Sequence, residues 1–437
     1  MRPEGGAVLS VGDVLELQVE KAVYRGLGLA RHEGRAVFVP RGLPGERLRV
    51  HVTSVEKGFA RAQAEEVLVP SPSRRKAPCP HAESCGGCAY QELDYAAQLS
   101  LKRDVVTEAL RRAGAPFPEP VDIVASPEEG WRTRASMHFE IAGGDLRLGL
   151  HEEGTHKVVE IERCLQLSPA MSEAARGLKR AVAARPELWP RLTGLHLAEG
   201  TEAGLVATLE VLMPASEAQG LVSLRGALPG LTGLAGELVE GQRRTYVLLM
   251  GSPRLAHQVL GLRLSSHARS FFQANRFLVE PLAQAVLDLV PAEGPVLDLY
   301  SGVGLFALPL AARGQEIRAV EIDETAADDA GENARRLGLA LRVDRSDTRE
   351  FLARTPAREG QHVVIDPPRT GAGLPVVELL AARRPPTIVY VSCDPATLGR
   401  DLAHFARLGY RADSLRLFDM FPDTFHVEAV ARLVPAV

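Results

Sequence analysis

The five cysteines of this 437-residue chain divide into a group of four and one that stands apart. Cys79, Cys85 and Cys88 follow a C-x5-C-x2-C spacing, and Cys164 comes 76 residues after Cys88. Four thiolates suffice for a tetrahedral zinc or for an iron–sulfur cluster, and His81 can replace one cysteine in a zinc site. Four unrelated core cysteines are the plainer alternative. The remaining thiol, Cys393, ends the apolar run TIVYVSCDPATL. An isolated cysteine is by default a small buried hydrophobe. At the carboxyl end of a strand, just before Asp394 and Pro395, it can instead be a nucleophile. The tail LRLFDMFPDTFHVEAVARL supplies a base to work with it. Glu428 lies in an apolar strand pattern, where a carboxylate is costly unless paired or functional. His426 competes for the same role, and residue type alone does not choose between them.

A second group of residues fits a nucleoside cofactor. In VLDLYSGVGLFALPLA, Gly302 and Gly304 close a turn between a buried strand and a helix, which lets backbone approach a ligand. Glu321 ends the next strand, IRAVEID, 17 residues after Gly304, where an acid can accept hydrogen bonds from ribose hydroxyls. A dinucleotide fingerprint wants a third glycine near position 307, and this chain has Ala307 after Leu305 and Phe306. The run VVIDPPRTGAG places Asp366 before two prolines, a rigid non-helical loop suited to holding a flat base at a methyl donor.

These residues need elements to carry them. Residues 1–69 alternate apolar and polar positions in short runs broken by glycine, which reads as a small β-barrel. PSPSRRKAP, residues 70–78, reads as a linker. A long amphipathic helix follows over about residues 91–113 and stops at Gly114. Residues 120–265 mix alternating runs with helical stretches, as in an α+β domain. From residue 266 continuous apolar strands alternate with helices, the pattern of a parallel sheet covered on both faces. The expected division is therefore 1–69, 70–265 and 266–437, with the helix near 91–113 able to pack on the last part.

Composition sets the outer bounds. Apolar residues make up 46% and charged residues 24%, as in ordered globular domains. No apolar run is long enough to span a bilayer, and MRPEGGAVLS lacks a signal-peptide layout, so a cytoplasmic protein without a membrane partner is expected. The reducing cytoplasm also argues against a disulfide framework. Net charge is −4, so nucleic-acid binding would need a local basic patch. Residues 1–76 hold 13 Lys and Arg against 9 Asp and Glu, a modest excess that a solvated surface also explains.

One reaction uses a strand-end thiol, a methyl donor and a base together. Carbon 5 of uracil is a poor nucleophile until a thiolate adds to carbon 6 and makes the ring an enolate. After methylation a base must take the carbon 5 proton before the thiolate can leave.

SFFQANRFLVEPL, LDLYSGVGLFALPLA, AVEID, DPPRTGAG, VYVSCDP and DMFPDTFHVEAVARL, in that order, resemble the RNA uridine-5-methyltransferase family, and the resemblance covers nearly the whole chain. It implies an α/β fold: a Rossmann-like class I methyltransferase domain, an N-terminal OB-like TRAM barrel that binds RNA, and an α+β central domain carrying an iron–sulfur cluster. WRTRASMHFE and LGLHEEGTHKVVEIERC look like that central domain. By the same resemblance Gln273, Tyr300, Glu321 and Asp366 contact S-adenosylmethionine, with Asp347 matched to a further polar contact. Cys393 is the nucleophile and Glu428 the base. The thiols of Cys79, Cys85, Cys88 and Cys164 hold a [4Fe-4S] cluster that ties the linker to the middle domain. The favoured substrate is 23S ribosomal RNA, since members with both TRAM domain and cysteine cluster mostly act there, and transfer RNA is the alternative. No obligate protein partner is implied. Leu305 departs from the small polar residue common in relatives, so no contact is carried to it.

Three rivals differ in checkable ways. Radical enzymes using the same donor space their cysteines C-x3-C-x2-C and carry a TRAM domain at the end. RNA cytosine-5-methyltransferases employ a second catalytic cysteine, absent here outside the group of four. A non-catalytic RNA-binding or redox-sensing protein has no use for Cys393, Glu428 and the DPP loop together.

Overall fold

The computed structural model describes residues 9–222, 224 and 230–436, so most of the opening MRPEGGAVLS lies outside the described residues. Strands Val14–Val23, Leu27–His32, Arg35–Pro40, Arg47–Glu56 and Phe59–Val69 close into a barrel in the order first, second, third, fifth, fourth. Period-two alternation sends Leu17, Val19, Val37, Val39, Leu48, Val50, Val52, Ala60 and Ala62 into its core. Closure is tight at Gly28, where a Cβ would lie 2.6 Å from the carbonyl oxygen of Gly42. The segment 70–78 is less free than a linker. Arg74 donates from Nε and Nη2 to the two oxygens of Glu46, a barrel carboxylate with no exposed surface, at 2.5 and 2.9 Å. A buried carboxylate needs such a fork, and the fork fixes the chain that carries it.

The middle of the chain forms a seven-stranded sheet. Its strands run in the order Arg243–Gly251, Gly233–Glu240, Leu205–Val211, Leu192–Glu199, Arg134–Ala142, Asp145–His151, Val158–Glu160. Helix Pro169–Ala183, capped by Ser168 Oγ accepting from Met171 N–H at 3.1 Å, packs its apolar stripe on the sheet.

The C-terminal part is a doubly wound sheet. Parallel strands Leu341–Arg345, Ile317–Glu321, Val296–Leu299, His362–Ile365 and Ile388–Ser392 lie side by side, followed by antiparallel Glu428–Pro435 and then Tyr410–Phe418. The three central strands, Val296–Leu299, His362–Ile365 and Ile388–Ser392, are buried along their whole length, as continuous apolar strands require. Asp122–Val124 adds an eighth, edge strand. Helix Tyr95–Ala113 packs on helix Pro395–Arg407 closely enough that a Cβ at Gly399 would meet Ala113 Cβ at 2.9 Å. The hairpin Arg254–Val259 and Leu262–His267 also rides on this layer. Arg254 Nη2 reaches Glu332 at 2.7 Å, and Asn333 exchanges two 2.8 Å bonds with the Ser265 backbone. Thus parts of the span 70–265 complete the C-terminal sheet's surroundings. Among the described residues no helix is long and apolar enough to cross a membrane.

Candidate active site and cysteine site

Four adjacent parallel strands end on one rim, and their next residues carry the polar groups. After Leu299 the chain turns at Tyr300 with φ 59°, an uncommon left-handed conformation for a bulky residue, and continues through Gly302 and Gly304 with φ 54° and 90°. A Cβ at Gly304 would strike Leu308 at 2.8 Å, whereas one at Gly302 would meet open space. The first glycine position therefore faces room for a ligand and the second seats the following helix. Glu321 braces the turn: its Oε2 accepts from Gly302 N–H and its Oε1 from Asp323 N–H, both at 2.8 Å. Asp347 caps helix Thr348–Arg354 by accepting from Glu350 N–H at 3.0 Å, a role that needs no ligand. Gln273 is buried in the loop before helix Val279–Leu289, beside Phe272, whose ring stacks on His257 at 3.7 Å.

The thiol and the two inner carboxylates meet at the neighbouring strand ends. Antiparallel pairing sets Ser392 opposite Ala429, so the same register carried one rung further sets Cys393 opposite Glu428. Side chains on facing positions lie about 4.5–5.5 Å apart at Cβ. Glu428 is 2% exposed, and burial first, then the charge of Asp366, holds it well above the ordinary carboxylate range, while Arg369 pulls it down. Burial lifts Asp366 to about 7. Cys393 is pushed up to about 12 by burial, then by Glu428 and Asp366, with Arg369 opposing. The free thiol is therefore protonated at neutral pH. A cationic ligand seated among these groups favours their charged forms. His426, the competing base, is lowered to about 4 by burial and neighbouring cations, which leaves it neutral but weakly basic. On this rim Glu428 is the stronger base.

Two participants escape the sequence reading. Asp298 has no exposed surface, and burial first, then Asp366 and Glu321 raise it, against a backbone N–H of Ala307 that pulls it down. Its signal was an acid inside the apolar run GPVLDLYSG. Tyr24 comes from the barrel. Its ring meets Phe425 edge to face at 5.5 Å and its hydroxyl faces Asp394, the residue after the thiol. Tyr24, Arg25 and Arg61 of the barrel share with Arg369, Asp394 and His426 a cleft of about 1310 Å³. That exceeds the roughly 300–1,000 Å³ of small-molecule pockets and suits a polymer.

The four other thiols line one cavity together with Leu150 and Ile161. Among the described residues no three His, Cys, Asp or Glu side chains converge as on a single metal ion. A cubane binds its four thiolates at separate corners, so sulfurs ringing a cavity fit it better than sulfurs drawn to one point. The cradle is close: a Cβ at Gly87 would lie 3.4 Å from Cys85 Sγ and 3.3 Å from Leu150. Gln166 Nε2 donates to Cys88 Sγ at 2.9 Å and Gly87 N–H to Cys85 Sγ at 3.4 Å, the kind of bonds that stabilise sulfur charge. Burial raises Cys79, Cys85 and, to about 12, Cys88. Arg132 lies beside Cys164, Cys88 and Cys85, stacked on Trp131 at 4.9 Å, and offers the compensating positive charge.

Residues 254–434 match the family model for tRNA (uracil-5-)-methyltransferases, and residues 9–64 match the TRAM domain. A 23S rRNA (uracil(1939)-C(5))-methyltransferase of Alkalilimnicola ehrlichii is 35% identical over 95% of this chain and 95% of its own. An RNA methyltransferase of Thermosynechococcus vestitus is 31% identical over 98% and 99%. Among solved structures, the Pyrococcus abyssi tRNA (uracil-54, C5)-methyltransferase, in complex with S-adenosyl-L-homocysteine, superposes with a TM-score of 0.77 at 26% identity, covering 96% of this chain and 99% of that one.

Proposed function

Since the chain belongs to the RNA uracil-5-methyltransferase family and methylates carbon 5 of uridine in RNA from S-adenosylmethionine, we propose that Cys393 and Glu428 carry that chemistry on a uridine of 23S ribosomal RNA. The observation that supports the roles is proximity at two neighbouring strand ends: Cys393 follows Ser392, which pairs with Ala429 next to Glu428, and the buried Glu428 acts directly on the thiol. The Cys393 thiol first gives up its proton to water in the open cleft. The thiolate sulfur then bonds to carbon 6 of the uracil, and the electron pair moved to the ring lets carbon 5 take the methyl group as the methyl–sulfonium bond breaks and leaves the donor as a neutral thioether. Glu428 then accepts the carbon 5 proton, the carbon 5–carbon 6 double bond re-forms and the sulfur departs with its bonding pair. One methyl enters and one proton leaves. The donor supplies an electrophilic methyl on a sulfonium centre. Glu321, Asp366, Tyr300, Gln273 and the turn at Gly302 and Gly304 would hold it, with Asp347 as a further polar contact and Asp298 as a buried carboxylate beside them.

The cysteine cavity supports a [4Fe-4S] cluster on Cys79, Cys85, Cys88 and Cys164. Methyl transfer moves no electron, so the cluster's task is architectural.

The ribosomal substrate rests on the full-length relatives from Alkalilimnicola ehrlichii and Halomonas elongata, 35% and 34% identical, both acting on 23S rRNA. The Pyrococcus abyssi enzyme favours transfer RNA as the second reading. Mapping 5-methyluridine across both RNAs with and without the gene decides between them. Loss of one or more sites in 23S rRNA is expected, and loss confined to transfer RNA overturns the ribosomal assignment.

A further inference from the structure

Glu428 opens its strand directly after the loop 419–427, so the path of that loop sets where the carboxylate stands. Asp419–Phe421 is held by Lys102, Asn275 and Val124, and the next two residues, Pro422 and Asp423, by the cysteine region together with Arg75 and Gln98. Ala89 and Tyr90 N–H both donate to the carbonyl oxygen of Asp423, at 2.9 and 2.8 Å. Its Oδ1 accepts from Gln98 Nε2 at 3.0 Å, its Oδ2 from Gln91 Nε2 at 2.9 Å, and its own N–H donates to Gln98 Oε1 at 3.0 Å. Asp423 is 2% exposed and adopts φ 64°, a conformation that these contacts enforce. One residue earlier, Gln166 Nε2 spans from Cys88 Sγ at 2.9 Å to the carbonyl oxygen of Pro422 at 3.3 Å. Gln91 makes the parallel link, reaching Cys88 Sγ at 3.6 Å and Asp423. Two side chains thus connect one sulfur of the cysteine group to two consecutive residues of the loop.

Among the described residues the nucleophile has no hydrogen-bonded bridge of this kind to the cysteine group. Cys393 follows a central strand, and Asp394 behind it caps helix Pro395–Arg407 through Ala396 and Thr397 N–H, both at 3.0 Å. Displacing Cys88 would therefore disturb the base and leave the thiol in place.

We propose that Asp423, Gln91 and Gln166 are positioning residues that latch the base-bearing loop to the cysteine site, so that the state of that site governs adduct release rather than adduct formation. This rests on Glu428 being the base and on the four thiols sharing one cluster. Asp423→Ala cuts the side-chain arm of the latch. Gln166→Leu cuts the bridge from Cys88 and stands in if the first variant fails to fold.

The experiment uses the full chain. Hydrogen exchange of amides in 419–427 is read first, with iron content measured alongside. Both variants should keep their iron, and exchange in the loop should rise by about tenfold or more as its opening free energy falls. Single-turnover assays then separate formation of the covalent protein–RNA complex from its decay. Decay should slow by roughly tenfold or more with formation little changed, as follows from displacing a general base. Stripping iron from the parent protein should produce the same loop exchange and the same stalled adduct. Unchanged exchange, or formation and decay slowed equally, overturns the latch. Glu428→Gln is run beside them: if it releases product at the parent rate, the base assignment itself has failed. If it stalls while the latch variants do not, only the latch has.

Discussion

The strand-end rim and the loop 419–427 meet at Glu428, yet they hold their buried carboxylates differently. On the rim, burial is the first cause that raises the inner carboxylates Asp298, Asp366 and Glu428, while Glu321 beside them is bonded to the turn. In the loop, Asp419 pairs with fully buried Lys102 at 2.5 Å, and Asp423 is bonded through backbone and side chain. A buried polar group left unpaired costs about 1–3 kcal/mol, more if charged, so the rim stores an unfavourable term that a cationic ligand relieves. Burial raises Asp423 as well, but the Gln98 hydrogen bond and the charges of Arg75 and Lys102 oppose it and give the loop a fixed path.

Removing a rim residue should give the largest effect, seen in chemistry and not in stability. Cys393→Ala should bind RNA and donor yet form no covalent complex and no product. Glu428→Gln keeps the shape and removes the basicity, so a methylated protein–RNA adduct should survive denaturing electrophoresis, with turnover lower by about 10² to 10⁴. Normal turnover by Glu428→Gln, or an adduct with Cys393→Ala, reverses the assignment of the two roles.

The loop should answer in stability. Lys102→Met removes a cation whose Nζ also donates to the carbonyl of Phe421 at 2.9 Å and leaves Asp419 charged and buried. Stripping one partner from a buried pair costs roughly 3–5 kcal/mol. Denaturant unfolding measures this directly, and a loss below about 1 kcal/mol, the scale of an exposed pair, would mean the pair is solvated.

How much of this was legible differs between the same two regions. Rim residues sit at the ends of consecutive apolar runs, so strand order and strand-end chemistry place Cys393, Asp366 and Glu321 from local pattern alone. The barrel and the doubly wound sheet are readable for the same reason. The loop's partners are not local: Gln98 and Gln91 lie 325 and 332 positions from Asp423, and nothing in DMFPDTFH names them. Tyr24 is hidden likewise, because only closure of the barrel against the catalytic layer brings it to Asp394. Residues 70–78 read as a linker because proline and charge are local signals, whereas the fork from Arg74 to Glu46 is a tertiary one.

Acid titration should sharpen the rim's side of the comparison. Asp366, lifted to about 7 by burial, is charged above that value and neutral below it. A cationic donor prefers the charged form, so its affinity should rise with pH up to about 7 and level off above. The slope below the break should approach tenfold per pH unit if one proton is released on binding. Calorimetric titration of the donor from pH 5.5 to 8.5 gives the profile. Asp366→Asn should flatten it; a profile that stays steep in that variant moves the titrating group elsewhere.

The smallest expected effect is at Asp394, where rim and frame meet in one side chain. Its Oδ1 caps helix Pro395–Arg407 by accepting from Ala396 and Thr397 N–H at 3.0 Å, and its carboxylate also faces the Tyr24 hydroxyl across the cleft. Loss of an N-cap costs about 1 kcal/mol, so Asp394→Ala should lower stability by that amount, while Asp394→Asn, an equally good cap, should lower it by only a fraction. The two variants therefore separate scaffold from charge. Asn keeps the cap and removes the negative charge beside Cys393, which contributes to holding that thiol high. Adduct formation should consequently be no slower in Asp394→Asn than in the parent, and slower in Asp394→Ala only as far as the frayed helix start displaces the thiol. Equal stability loss in both would show that the carboxylate's charge, and not its place at the helix start, is what the frame uses.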